Sequence, residues 1–247
     1  MNIELLEELL AAESAWRKKE IADLILISEG NDNPPVILKS ILLQLYAHWE
    51  GLIKRSAKLY LRYIKERNHK FHEVELNFKA LVVKNIIAEC IKNQNSLHLA
   101  NEMNIIQKLE LENLKYAVGI NVDNDQDNSI IDTESNLTPE VLRKILNVIG
   151  LTYRQEYEAK SSYLDKNFLH RRHTIAHGSK IENDESFCLD IVTILNLRKL
   201  VFSILDIIID EILEYAINGF YLVDNKDKLE QYLQQQKSRI QAVFSEL

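Results

Sequence analysis

Arg172-His173-Thr174-Ile175-Ala176-His177-Gly178 sets an arginine and a histidine five residues apart and closes the segment with a glycine. Arginine is always charged and offers a planar fork of donors that matches phosphate oxygens, whereas histidine gives or takes a proton near neutral pH. Together they can stabilise a phosphorane and move its protons. Residues five apart on an ideal helix lie about 140° from one another around the axis, so Arg172 and His177 do not share a face. They reach one groove if the arginine bends back and the histidine lies where the helix closes at Gly178. A plainer reading competes: cations are favoured at helix C-termini by exposed carbonyls and the helix dipole. A third reading is metallic, because His170, His173 and His177 fall at spacings of three and four on one helical face. Arg171 and Arg172 among them favour an anion over a dication, so no metal and no cofactor is expected.

The element carrying these residues is a helix expected over about 162–177, capped by Ser161 or Ser162 and ended by Gly178 in the left-handed conformation. Before it, Thr138-Pro139-Glu140 supplies a cap, a first-turn proline and an early acid for a helix ending at Gly150. Leu5, Leu6, Leu9, Leu10, Ile21, Leu24 and Ile25 carry the helical period through the first segment, which stops near Gly30 to Pro35. A second helix runs from the prolines to about Asn68, with Ile41, Leu45, Trp49, Leu52 and Leu59 on its apolar side. A third region, about 76–117, reads as helical with a break at Asn93-Gln94-Asn95-Ser96. The segment 187–217 is apolar on more than one face, which predicts a central core or dimer helix, and about 226–247 reads as an amphipathic helix lying on the bundle or on a partner.

With 247 residues, six glycines and three prolines, the chain favours long helices over sheets with their many turns. The fold class expected is all-α, as one domain over residues 1–247. No stretch has the apolar length of a membrane span, and Met1-Asn2-Ile3-Glu4 lacks the plan of a signal peptide; a cytoplasmic protein without membrane association is expected. Cys90 and Cys188 lie far apart without metal-ligand spacing and read as buried thiols.

The net charge of −7 argues against a protein that coats nucleic acid without selectivity. A local basic face is still available. Between Lys54 and Lys70 there are seven lysines and arginines against one acid, Glu66, and Lys54, Lys58, Arg62 and Lys65 stack on one helical face. That stripe is the candidate RNA track, and an ordinary solvated helix face is its alternative. Asp123, Asp125, Asp127, Ile130 and Glu134 match positions of a calcium-binding EF-hand loop, but Asn128 stands where the turn glycine belongs and Pro139 starts a new helix too late, which favours a solvated acidic loop.

The R-x4-H pattern with a polar residue after the arginine, ending Ile-Ala-His-Gly, resembles the signature of the HEPN superfamily. Two further segments, Tyr46-Ala47-His48-Trp49-Glu50-Gly51 and Glu134-Ser135-Asn136-Leu137, are similar to segments of stand-alone prokaryotic HEPN proteins of conflict and defence loci. The resemblance implies a helical HEPN-type bundle, a homodimer with a composite site and a metal-independent endoribonuclease acting as a toxin or antiviral effector. In that reading the RNA 2′-hydroxyl attacks the adjacent phosphorus, His177 handles a proton, Arg172 holds the developing charge, and His173 orients the phosphate or the histidine. Glu50 can accept a hydrogen bond from an arginine of the site, and a helix acid that caps an ordinary salt bridge explains it equally well. An antitoxin or sensor protein is the expected regulator; Ser179 stands where one subgroup of toxins carries a modified tyrosine, which argues against that form of control. A non-catalytic HEPN module that binds RNA or organises an assembly is the alternative, and retention of both Arg172 and His177 favours the enzyme.

Overall fold

Leu6, Leu10, Ser14, Arg17, Ile21, Ile25 and Ser28 are the buried residues of the first helix, and their spacings of three and four draw one stripe along it. This helix, α1 (Ile3–Glu29), begins where the Asn2 side chain accepts a hydrogen bond from the Leu5 amide at 2.9 Å. The computed structural model describes residues 1–32, 34–91, 99–124, 126–178 and 189–246, without the side chains of 89–91. Within them the architecture is all-α and no strand occurs.

Pro34 is extended and Pro35 occupies the first turn of α2 (Pro35–Glu66), where a missing amide costs nothing. The expected apolar side of α2 is buried, and beyond Leu52 the burial spreads around the helix, so α2 is the central element with α1 and α8 (Ile191–Asn218) packed against it. The Ile- and Leu-rich α8 starts with Asp190 accepting from the Thr193 amide at 2.6 Å and stops at Gly219, which has φ +64°. A helix was expected from residue 187; residues 187 and 188 lie outside those described.

Helices α3 (Leu76–Ile91) and α4 (Ala100–Leu109) form a pair, and α3 also meets α5 (Pro139–Val148). The expected break at 93–96 falls outside the described residues. The expectation of helix up to 117 is corrected: residues 111–117 are irregular, because the Leu114 carbonyl and the Tyr116 amide pair with Phe71 and His69 across a bridge instead of forming a helical ladder. Thr138 caps α5 as expected, and Gly150, at φ +78°, turns the chain after it.

The caps expected at Ser161 and Ser162 are also corrected. The helix α6 (Gln155–Leu164) starts after Arg154, which is held by a buried ion pair to Glu211 of α8, and Ser161 donates to the Glu158 carbonyl inside the helix. A π-turn, Asp165–Leu169, joins α6 to α7 (His170–Ala176); the His170 amide donates to the Asp165 carbonyl five residues back. Helix α9 (Lys226–Ser245) lies on the bundle through Ile240 and Phe244, with Phe244 against the ring of Tyr157 in α6.

Candidate active site

Phe168 and Leu169 are both buried by the widened π-turn, and this anchors the start of α7 against α2. π-turns inside α-helices are frequent at functional sites. The sequence gives no sign of this one. Downstream, Ile175 packs on the core while His173 and His177 are exposed, and Gly178, with φ +66° and an amide donating to the Ile175 carbonyl at 3.1 Å, ends the helix as expected. The two imidazoles lie together, with ring centroids 4.2 Å apart.

Arg172 does not follow the histidines toward the helix end. Its guanidinium carbon lies 3.8 Å from the ring centroid of Tyr46 in α2, a cation-π contact with a buried aromatic ring. Tyr46 is in turn fixed by its hydroxyl, which accepts from the Leu137 amide at 2.8 Å and donates to the Asn136 side chain at 3.3 Å. Trp49, one turn along α2, donates to the Leu137 carbonyl at 3.0 Å. The three sequence segments that resemble HEPN proteins thus converge at one place in the fold. One of these segments, the loop before α5, contains Glu134 and Ser135, both at positive φ, a conformation that disfavours residues with a β-carbon.

Burial pushes the Tyr46 phenol up to about 12, the nearby Glu50 carboxylate adds to the rise, and the Leu137 amide and Arg172 oppose it. The phenol is therefore neutral at physiological pH and serves as an anchor. Glu50, open in sequence between a bond to an arginine of the site and an ordinary salt bridge, accepts from the Thr133 hydroxyl and so tethers the same loop.

The candidate RNA stripe is only partly an open face. Lys58 is 3% exposed, and its ammonium donates to the Asn121 and Asn124 carbonyls at 3.2 and 2.8 Å; Lys54 reaches the Asn128 side chain at 2.5 Å. Arg62, which pairs with Glu66 at 2.9 Å, and Lys65 remain exposed. The stripe is corrected to this extent: half of it anchors the polar loop that covers it. The same contacts bear on the calcium-like spacing. Lys58 sits on the loop's carbonyls, Asp127 accepts from the Ser129 amide at 3.0 Å, and Glu134 pairs with Lys144 at 3.0 Å; Asp125 lies outside the described residues. Among the described residues no group of three or more histidine, cysteine, aspartate or glutamate side chains has the geometry to hold a metal ion. Cys188, Ser179 and the Cys90 side chain are outside them.

Tyr46, Asn136 and Leu137 are the residues to which sequence reasoning gave no role. The spacing of Tyr46 and Trp49 on one face of α2 was the available signal.

An all-α bundle that carries an arginine and two histidines on one short helix fits the HEPN class that the sequence resembles. The family model described as HEPN_MAE_28990-like HEPN matches residues 6–221, and the chain belongs to that family. The match runs from Leu6 in α1 through α8 and leaves α9 beyond it. No curated protein and no solved structure matches the chain. No helix among the described residues is long and apolar enough to cross a membrane. Membership of this family is consistent with a nuclease or RNA-binding module.

Proposed function

We propose that the protein is a metal-independent endoribonuclease whose site is built on Arg172, His173 and His177. The observation that carries the reading is the placement of Arg172. A cation held over a buried ring, with that ring fixed by a hydrogen-bonded hydroxyl, is preorganised to meet the non-bridging oxygens of a phosphate. In the proposed step the RNA 2′-oxygen bonds to phosphorus and the bond to the 5′-oxygen breaks, leaving a 2′,3′-cyclic phosphate and a 5′-hydroxyl. One imidazole takes the proton of the 2′-hydroxyl and another delivers a proton to the departing 5′-oxygen. His177 fills one of these roles and the adjacent His173, its ring tilted against that of His177, orients it or the phosphate.

Acid and base must lie on opposite sides of the reacting phosphorus, while His173 and His177 sit side by side. A second copy of the chain across a twofold axis supplies the opposite side, so the working form is a homodimer with a composite site. Val192 and Leu195, exposed on the first turns of α8, give apolar surface for such a contact. A nuclease of this kind acts as a toxin or antiviral effector in the cytoplasm under control of an antitoxin or sensor protein.

The test is cleavage of end-labelled RNA in excess EDTA by the native protein and by Arg172→Ala and His177→Ala, with product ends identified. Cutting to cyclic phosphate ends that disappears in both variants supports the enzyme. Binding without turnover by a folded dimer identifies a non-catalytic HEPN module, and cutting abolished by EDTA revives a histidine-bound metal.

A further inference from the structure

Asn136 lies at the hydroxyl end of the tyrosine that carries Arg172. Its backbone is held on both sides: the amide donates to the Thr133 carbonyl at 2.9 Å, and the carbonyl accepts from the Thr138 amide at 2.7 Å. Its side chain is held at one end. The Tyr46 hydroxyl already accepts from the Leu137 amide, so its own proton goes to Asn136 Oδ1, 3.3 Å away. That bond decides which end of the carboxamide faces the tyrosine, and it leaves Nδ2 with two hydrogens to donate elsewhere.

Asn136 is half-buried, and its Nδ2 has no partner among the described residues and is not sealed from solvent. The guanidinium of Arg172 is in the same condition: half-buried, open to solvent and without a hydrogen bond or ion pair among the described residues. Glu50, whose carboxylate acts on the Tyr46 phenol, is engaged by Thr133. Two donor groups, one cationic and one neutral, are thus held to one side chain, the first over its ring and the second at its hydroxyl. A guanidinium has no acceptor, and Oδ1 faces the tyrosine. The complementary ligand therefore presents acceptors and carries negative charge. The non-bridging oxygens of a phosphodiester do both, whereas base edges are neutral and mostly mix acceptors with donors.

We propose that Asn136 contacts the substrate, its Nδ2 donating to a non-bridging oxygen of the RNA phosphate that Arg172 holds. The inference rests on the RNA-directed reading above and adds to it a second donor, supplied by the loop before α5 rather than by the motif helix. A donor fixed in advance on an oxygen that gains charge holds it more strongly in the transition state than in the ground state.

The experiment reads binding as well as cutting. Fluorescein-labelled 2′-O-methyl oligo-U and oligo-A, whose blocked 2′-oxygen cannot attack, are titrated with the full chain by anisotropy. Native protein is compared with Asn136→Asp, Asn136→Ala and, as a control for the change from amide to acid, Gln235→Glu on the exposed face of α9. Asn136→Asp keeps the acceptor for Tyr46 and loses the donor, while Asn136→Ala loses the donor without adding charge. Only the missing donor is common to both. The expected result is binding about tenfold weaker or more in each, the worth of one hydrogen bond to a charged group, equally for both strands, with near-native binding by Gln235→Glu. On cleavable RNA the two variants lose about 100-fold in kcat while folded by thermal melt. Native-like binding by Asn136→Ala overturns the proposal, because repulsion alone then explains the aspartate. A loss confined to one of the two strands also overturns it and makes Asn136 a reader of bases. No binding of either strand by the native protein removes the RNA ligand and this contact with it. A protein that binds both strands through Asn136 but cuts no RNA refutes the nuclease and leaves the phosphate contact standing.

Discussion

Replacing Tyr46 separates two jobs that the structure gives to one side chain. Tyr46→Phe keeps the ring under Arg172 but removes the acceptor of the buried Leu137 amide, 2.8 Å away. A buried donor left without a partner costs about 1–3 kcal/mol. At this chain length each kcal/mol lowers Tm by about 2–4 °C, so the midpoint should fall by about 2–12 °C. Tyr46→Leu removes the hydroxyl and the aromatic face together. The lost cation-π contact is worth about 0.5–2 kcal/mol. If that energy orients Arg172 for the transition state, kcat/KM falls by about 2- to 30-fold beyond the loss in Tyr46→Phe. Thermal melts and initial rates on end-labelled RNA, with concentrations corrected for folded fraction, separate the two effects. A Phe variant that melts with the native protein refutes the loop anchor. A Leu variant with the same kcat/KM as the Phe variant, while Arg172→Ala is dead, refutes the claim that the ring positions the guanidinium.

The buried pair of Arg154, 8% exposed, and Glu211, 2% exposed, makes a second prediction: Arg154→Met strands a carboxylate and costs about 3–5 kcal/mol in urea unfolding, whereas Arg154→Met/Glu211→Leu recovers most of it. Equal losses for the single and double variants would exclude a charge penalty as the cause. Burial holds the His48 imidazole below its ordinary 6.5, although Glu20, 2.7 Å away, pulls the other way. The unfolded chain then takes the proton first, so this contribution to stability is complete above that value and declines as pH drops toward the depressed folded pKa. His48→Gln should flatten the dependence of Tm on pH in that window, and an unchanged slope assigns it to other groups. Gly150→Ala should cost more stability than Gly178→Ala. Both sit at positive φ, but a Cβ at 150 meets the Asn77 amide nitrogen at 3.0 Å and Phe78 at 3.3 Å, while none of the described atoms within 4 Å faces one at 178. The opposite order of melting points would show that Gly178 has a packing role that its open surroundings do not provide.

The helices were readable where side chains alone decide them. Leu6, Leu10, Ile21 and Ile25 announce α1 by their spacing, and Gly150 and Gly178 stop their helices because only glycine takes a positive φ without penalty. Illegible features were those in which one partner is backbone. The Tyr46 hydroxyl meets an amide 91 residues away, and any residue at 137 supplies that amide. Lys58 was placed correctly on the face of Lys54 and Arg62, but the carbonyls of Asn121 and Asn124 that bury it carry no signal in residue type. Segment 111–117 has helix-forming composition and is irregular for the same reason: its backbone pairs with residues 69–71.

The competing readings of the signature account for different residues. Cations gathered at a helix C-terminus need no further explanation than exposed carbonyls and the dipole, and this account covers His173 and His177, which sit on the last turn of α7. It does not cover Arg172. A dipole draws a guanidinium toward the final carbonyls, yet Arg172 lies against Tyr46 of a different helix. That tyrosine is tied to the 134–137 loop, whose positive-φ residues are adopted at a cost in backbone energy. The π-turn just upstream is a second local departure from the α-helix in the same few residues. Positive φ also occurs at Asp32, Asn68 and Leu99, away from this arginine, so backbone strain does not by itself mark the site; what helix capping leaves unexplained is the contact of Arg172 with Tyr46.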